Sequence, residues 1–224
     1  MNRSNNLGPL TPYHPPSLPA IRQYNVNREG QNEVIWQPTY DYQTYAAAGA
    51  AQFTFFQTTV GAAGTTLADT NIRAQGTFPA PQEFLITGIQ VLFTPGNAIA
   101  QAGVDVNTIQ ENWNDVNDVM FGNAWLQLFI GSKSYLDDGP LAKFTQQFRL
   151  GGVANNAATG TAAAPIAWLI DYAVHGGKYY SITPVKLPTT QNFNVNINFP
   201  AAVAINVNGT IGVILDGFLY RLSQ

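Results

Sequence analysis

The amino-acid sequence predicts an all-β fold, a sandwich or barrel of about eight antiparallel strands, and three observations predict it. Residues 191–199 alternate Phe193, Val195, Ile197 and Phe199 with Asn192, Asn194, Asn196 and Asn198, the two-residue period of a strand with one buried face. Residues 210–222 are β-rich again, with Ile211, Val213 and Leu215 on one parity and Phe218, Tyr220 and Leu222 on the other. Hydrophobic residues form 46% of the 224-residue chain, enough for one undivided core, while Asp, Glu, Lys and Arg supply only 10%. An ordinary globular protein carries roughly 25% charged residues. Much of this surface must then be neutral and polar, or hidden against other chains.

Charge also excludes partners. A net charge of −3 with ten scattered basic residues argues against direct, sequence-specific nucleic-acid binding, which draws affinity from many Lys and Arg contacts to phosphate. The absence of Cys rules out disulfides and thiolate metal sites. No apolar run approaches the ~20 residues that span a bilayer, and no basic head with an apolar run stands near the N-terminus.

Taken in order, residues 1–50 read as an extended N-terminal arm, because Pro9, Pro12, Pro15, Pro16 and Pro19 break any helix and no period follows. Tyr13, Tyr24, Trp36, Tyr40, Tyr42 and Tyr45 give this arm amphipathic anchors suited to a subunit interface. Fully extended, it reaches on the order of 160 Å, several times the width of the body it leaves. The alternative is a leader that packs on its own domain.

The body, residues 51–224, begins with a strand over 52–60, rich in Phe and Thr, and a small polar loop over 61–76. Residues 84–93 read as a central strand, because Leu85, Ile89, Val91 and Phe93 load one face and Phe84 and Ile86 the other. Val106, Ile109, Trp113, Val116 and Met120 recur at steps of three and four, which predicts one helix, capped by Asn107 with Gln110 and ended by Gly122. A strand over 123–132 and a turn at 137–140 follow. Residues 151–165 read as an exposed loop, and 166–174 as a strand in a hairpin with 178–182, with a short helix as the alternative that the Ala-rich edges allow. Asn208-Gly209 predicts a hairpin turn with positive φ, and the parity change at Asp216-Gly217 predicts a bulge. About eight strands, one helical insertion and long connections favour a single jelly roll, with an immunoglobulin-type sandwich as runner-up.

Groups able to react are scarce, so neither a catalytic residue nor a metal or cofactor site is expected. His14 lies in the Pro-rich arm and His175 before two glycines; Asp171 and His175 could share a site only if their segment were helical. Asp137 and Asp138 beside Gly139-Pro140 read as a turn before they read as Ca²⁺ ligands. Asp69 and Asn71 near Arg73 could pair at an interface, and Asn2-Arg3-Ser4 and Asn208-Gly209-Thr210 match a glycosylation pattern short enough to arise by chance.

Three runs, GTFPAPQEFLITGI over 76–89, LQLFIGSK over 126–133 and GVILDGFLYR over 212–221, resemble jelly-roll major capsid proteins of tailless icosahedral bacteriophages, including membrane-containing ones. The resemblance implies a structural virion subunit without an active site, packed as a trimer or pseudo-hexamer. Its partners would be copies of itself, other capsid or vertex proteins, and an internal membrane. Many such proteins fuse two jelly rolls, and this length leaves room for one, which favours a single-barrel, minor capsid or vertex subunit. The alternative function is a receptor- or carbohydrate-binding β-sandwich, with Trp125, Trp168 and Tyr179 as stacking platforms.

Overall fold

The computed structural model describes residues 32–96, 106–144, 149–155, 167–173 and 180–222. Its elements are β1 (Asn32–Trp36), β2 (Thr39–Tyr45), β3 (Gln52–Phe55), β4 (Glu83–Thr94), α1 (Val106–Met120), β5 (Trp125–Ile130), β6 (Lys133–Asp138), β7 (Arg149–Asn155), β8 (Ala167–Ala173), β9 (Tyr180–Leu187), β10 (Phe193–Asn198) and β11 (Gly209–Leu222). One sheet runs β1-β11-β4-β9, with β2 also on β11, a second runs β3-β10-β5-β6, and β7 pairs with β8. Every pairing is antiparallel. The fold is thus an all-β sandwich with one helix, as the alternating patterns predict.

One apolar cluster fills the space between the two large sheets. Ile86, Ile89, Val91, Ile211, Val213 and Leu215 face it from one side, and Phe55, Leu126, Leu128, Val195 and Ile197 from the other. Phe78 lies between them, stacked on Phe84 of β4 at 5.2 Å and on Phe193 of β10 at 5.6 Å, with the rings within 9° of parallel. Tyr45 stacks on Phe53 at 4.9 Å and so joins β2 to β3.

Several expectations need correction. The arm was placed at 1–50, but residues 32–36 and 39–45 are strands of the large sheet, so the described body begins at Asn32. β1 follows the C-terminal half of β11, with Trp36 opposite Phe218, and β2 follows the N-terminal half, with Thr39 opposite Leu215. They form one edge strand interrupted at Gln37-Pro38, where Pro supplies no N–H to continue the ladder. Their pattern hid them: β2 turns Thr39 and Asp41 into the sandwich and Tyr40 and Tyr42 outward, polar in and aromatic out.

The bulge occurs where it was expected, but its extra residue is on the other strand. Asp216 faces Gly88 and Gly217 faces Ile86, so Thr87 of β4 has no opposite number. Consequently β4 changes parity, burying Phe84 and Ile86 before the bulge and Ile89 and Val91 after it, whereas β11 keeps Leu215 and Leu219 on the same inner face. Gly217 has a local reason: a Cβ there would lie 2.0 Å from the Leu85 carbonyl oxygen.

β8 pairs with β7, and residues 180–182, expected as its hairpin partner, begin β9 on β4; residues 178 and 179 lie outside the described residues. Residues 151–155, expected in a loop, are strand, and β6 was not foreseen. Eleven strands therefore stand among the described residues where about eight were expected. Asn208 and Gly209 do not have positive φ; Asn208 Oδ1 accepts the Ala47 N–H at 2.8 Å and ties the loop before β11 to the end of β2. The helix has the expected bounds, but it buries Asn112, Asp115, Val116, Val119 and Met120 and leaves Trp113 at the surface. The Asp115 carboxylate explains the rotation by accepting the Asn206 N–H at 3.2 Å.

Candidate functional surfaces

With both sheets packed inward, their outer faces differ in chemistry. On the five-stranded sheet the outward positions follow from register: Val34 and Trp36 of β1, Tyr40 and Tyr42 of β2, Ile214, Asp216 and Phe218 of β11, and Leu85, Gln90 and Leu92 of β4. Trp36 is 60% exposed, and Leu222 at the end of β11 is 50% exposed. The Tyr42 ring covers Gly212, where a Cβ would meet it at 2.0 Å, and Tyr40 packs beside Tyr42 at 5.7 Å between centroids. Glycine is required there so that the aromatic ring can lie flat on the strand.

Among the described residues, the one carboxylate in the middle of this face is Asp216, buried and accepting the Gln90 Nε2–H at 2.6 Å. At the margin Lys186 pairs with Glu83 at 2.7 Å, an exposed contact of little energetic weight.

Sheet two carries amides. Its outer face presents Asn194, Asn196 and Asn198 of β10 between Thr54 and Gln52 of β3 and Phe129, Gln127 and Trp125 of β5. A hydrogen-bonded relay crosses all four strands: Gln52 Nε2 donates to Asn198 Oδ1 (2.9 Å), Asn198 Nδ2 to Gln127 Oε1 (2.8 Å), and Gln127 Nε2 to Asp137 Oδ1 (2.7 Å). Ser134 Oγ donates to the other oxygen of Asp137 at 2.6 Å. Asn194 Oδ1 and Asn196 Oδ1 stand outside the relay, buried and without a hydrogen-bond partner among the described residues. An unpaired buried acceptor costs about 1–3 kcal/mol. At the Asn194 end the face opens into a cavity of about 450 Å³ lined by Gln57, Gln75, Gly76, Gly131, Asn192, Phe193 and Asn194.

The six aromatic residues expected at a subunit interface divide. Tyr13 and Tyr24 lie outside the described residues. Trp36, Tyr40 and Tyr42 come together on the outer face of the large sheet. Tyr45 does not: it is fully buried in its own chain's core and its hydroxyl donates to the Val203 carbonyl at 2.7 Å. Burial, and then the Asp115 charge, push its pKa up to about 12. It is an internal anchor and not a contact for another subunit.

Other candidates fare as follows. His14, His175, Tyr179 and Asn2-Arg3-Ser4 lie outside the described residues, as do the side chains of Trp168 and Asp171. The segment holding Asp171 is strand β8, so the helical condition for an Asp171–His175 site is not met through Ala173. Asp138 pairs with Lys143 at 2.8 Å while Asp137 serves the amide relay, so the two carboxylates are committed to different partners. Asp69 accepts the Thr66 N–H at 2.8 Å, and Asn71 accepts the Tyr40 N–H at 3.0 Å; both finish the outer edge of β2. Among the described residues no group of three His, Cys, Asp or Glu side chains is placed to hold a metal ion, and no helix is long and apolar enough to cross a membrane. Comparison with protein-family models, curated proteins and solved structures finds no match for the chain.

Burial raises the carboxyl pKa of Asp41, Asp115 and Asp216 above the usual range, against the lowering effect of their hydrogen bonds. Each group binds its proton more tightly folded than unfolded. Stability from these three therefore falls as pH rises from the unfolded value through the raised folded one. Asp137 and Asp138, lowered by Ser134 and by Lys143, act in the opposite sense from exposed positions. The melting temperature is expected to be higher in mildly acidic buffer than above neutrality. Asp216→Asn should raise it at neutral pH and flatten the profile, because an amide still accepts from Gln90 without a buried charge. An identical slope in wild type and variant would show that Asp216 carries none of it.

Proposed function

We propose that this chain is a structural coat subunit of an icosahedral virion, built as a single jelly roll and assembled from copies of itself. The observation that carries the reading is the outer face of the five-stranded sheet. Aromatic and aliphatic side chains from β1, β2, β4 and β11 make one surface, its central carboxylate is buried and held by the Gln90 amide, and its largest ring, Trp36, stands in solvent. Burying such a face between copies removes apolar area from water and desolvates few charges. The chain's sparse charge points the same way.

Strand order supports the jelly roll. If β1 and β2 together are strand B, and β3, β4, β5, β6, β9, β10 and β11 are C to I, the sheets read B-I-D-G and C-H-E-F. That is the arrangement of two Greek keys that viral coat domains share with lectins and cupins. Fold alone leaves the choice among these open; the aromatic face favours assembly.

Sedimentation of the full chain at neutral pH is expected to show trimers or larger species. Trp36→Asp, at a position already exposed in the monomer, should weaken association about 30-fold, as loss of a central Trp anchor does. Removing residues 1–31 leaves every described strand in place and tests the arm carrying Tyr13 and Tyr24; particles larger than the trimer should be lost. Wild-type protein that stays monomeric at high concentration overturns the proposal.

A further inference from the structure

The amide face of the second sheet is chemically unlike an assembly surface. Asn is disfavoured in strands, yet β10 places three on one face and leaves the side-chain oxygens of two of them unpaired. A sequence that breaks a local rule at a cost to stability marks a place selected for something else. We propose that this face, with the cavity at its Asn194 end, binds a neutral glycan.

Three features identify the ligand. First, among the described residues the cavity wall is made of amides, glycine backbone and Phe193, with no ionisable side chain. A carboxamide donates and accepts, as a sugar hydroxyl does, so Gln57, Gln75, Asn192 and Asn194 can satisfy a polyhydroxylated ring in either sense. Second, Asn194 and Asn196 still have acceptor capacity to offer once their side chains swing toward a hydroxyl donor. Third, Phe129 stands opposite Asn194 and Trp125 opposite Asn198, four residues apart on β5 and so about 13 Å apart. Trp125 is 37% exposed. The negative faces of such rings attract the C–H faces of sugars. The Asp137 carboxylate at the far end of the relay repels anionic sugars.

The experiment is calorimetric titration of the full chain with maltotriose, cellotriose and mannotriose, with sialyllactose as the anionic control. At least one neutral trisaccharide should bind saturably and sialyllactose should not. Gln75→Ala with Asn194→Ala should weaken binding about tenfold, since each removes a hydrogen bond. Trp125→Ala should weaken it without altering the cavity. Light scattering on the same samples separates this inference from the coat proposal: Trp36→Asp should dissociate the oligomer and leave sugar affinity unchanged. The inference is overturned if no neutral trisaccharide binds, if sialyllactose binds equally well, or if the double variant binds like wild type. It is also overturned if the double variant dissociates the oligomer, because the amide face would then be a contact between copies.

Discussion

Phe78→Ala is expected to lower the free energy of unfolding by about 3–5 kcal/mol, measured from the urea midpoint at constant slope. Phe78 belongs to neither sheet, yet its ring lies between Phe84 and Phe193 and carries contact from one sheet to the other. Truncation removes both stacked pairs and leaves a cavity between layers whose backbones are held by their own ladders and cannot close in. Against a total stability of roughly 5–15 kcal/mol, that is a large fraction. Phe78→Leu, which keeps most of the volume, should lose less than half as much. A loss below about 1 kcal/mol for the Ala variant would mean that the two sheets collapse to refill the space.

Asp41→Ala comes next, with an expected loss of about 3 kcal/mol. Asp41 Oδ2 accepts the Phe56 N–H at 2.6 Å, where β3 ends and Phe56 takes a positive φ of 68°. Gln43 Nε2 also reaches this carboxylate, at 3.4 Å, while the Thr70 hydroxyl beside it donates to the Tyr40 carbonyl at 3.1 Å. Removing the acceptor strands a buried N–H beside a residue whose conformation already carries strain. Asp41→Asn should cost far less, because an amide oxygen can take the same N–H without the buried charge. Equal losses for Ala and Asn in a denaturant titration would show that the charge, and not the acceptor, holds this corner.

The legible parts of the fold were those in which side-chain pattern and burial agree. β10 was readable because Phe193, Val195 and Ile197 face the core and each intervening Asn faces out. α1 was readable by its period, yet its inner stripe was misjudged, because Asp115 is drawn inward by a backbone N–H that no helical pattern records. β2 was unreadable for the inverse reason: its inward Asp41 terminates a neighbouring strand, and its outward tyrosines look like core residues in sequence. The bulge was visible as a change of parity, but sequence does not say which of two paired strands holds the additional residue, and Thr87 does. Of the expected interface residues, Trp36, Tyr40 and Tyr42 share one face and Tyr45 is internal. The amide relay was visible only as an alternation of Asn, since Gln52, Gln127 and Asp137 meet it through pairings distant in the chain.

β11 lies between β4 on one side and β1 with β2 on the other, and it follows all three in the chain. During synthesis, each of those strands leaves the ribosome with its main partner still unmade, so the larger sheet cannot close until translation has passed residue 222. A chain cut short before Gly209 would leave β1 and β2 without a sheet partner and β4 with β9 alone, a substrate for proteases.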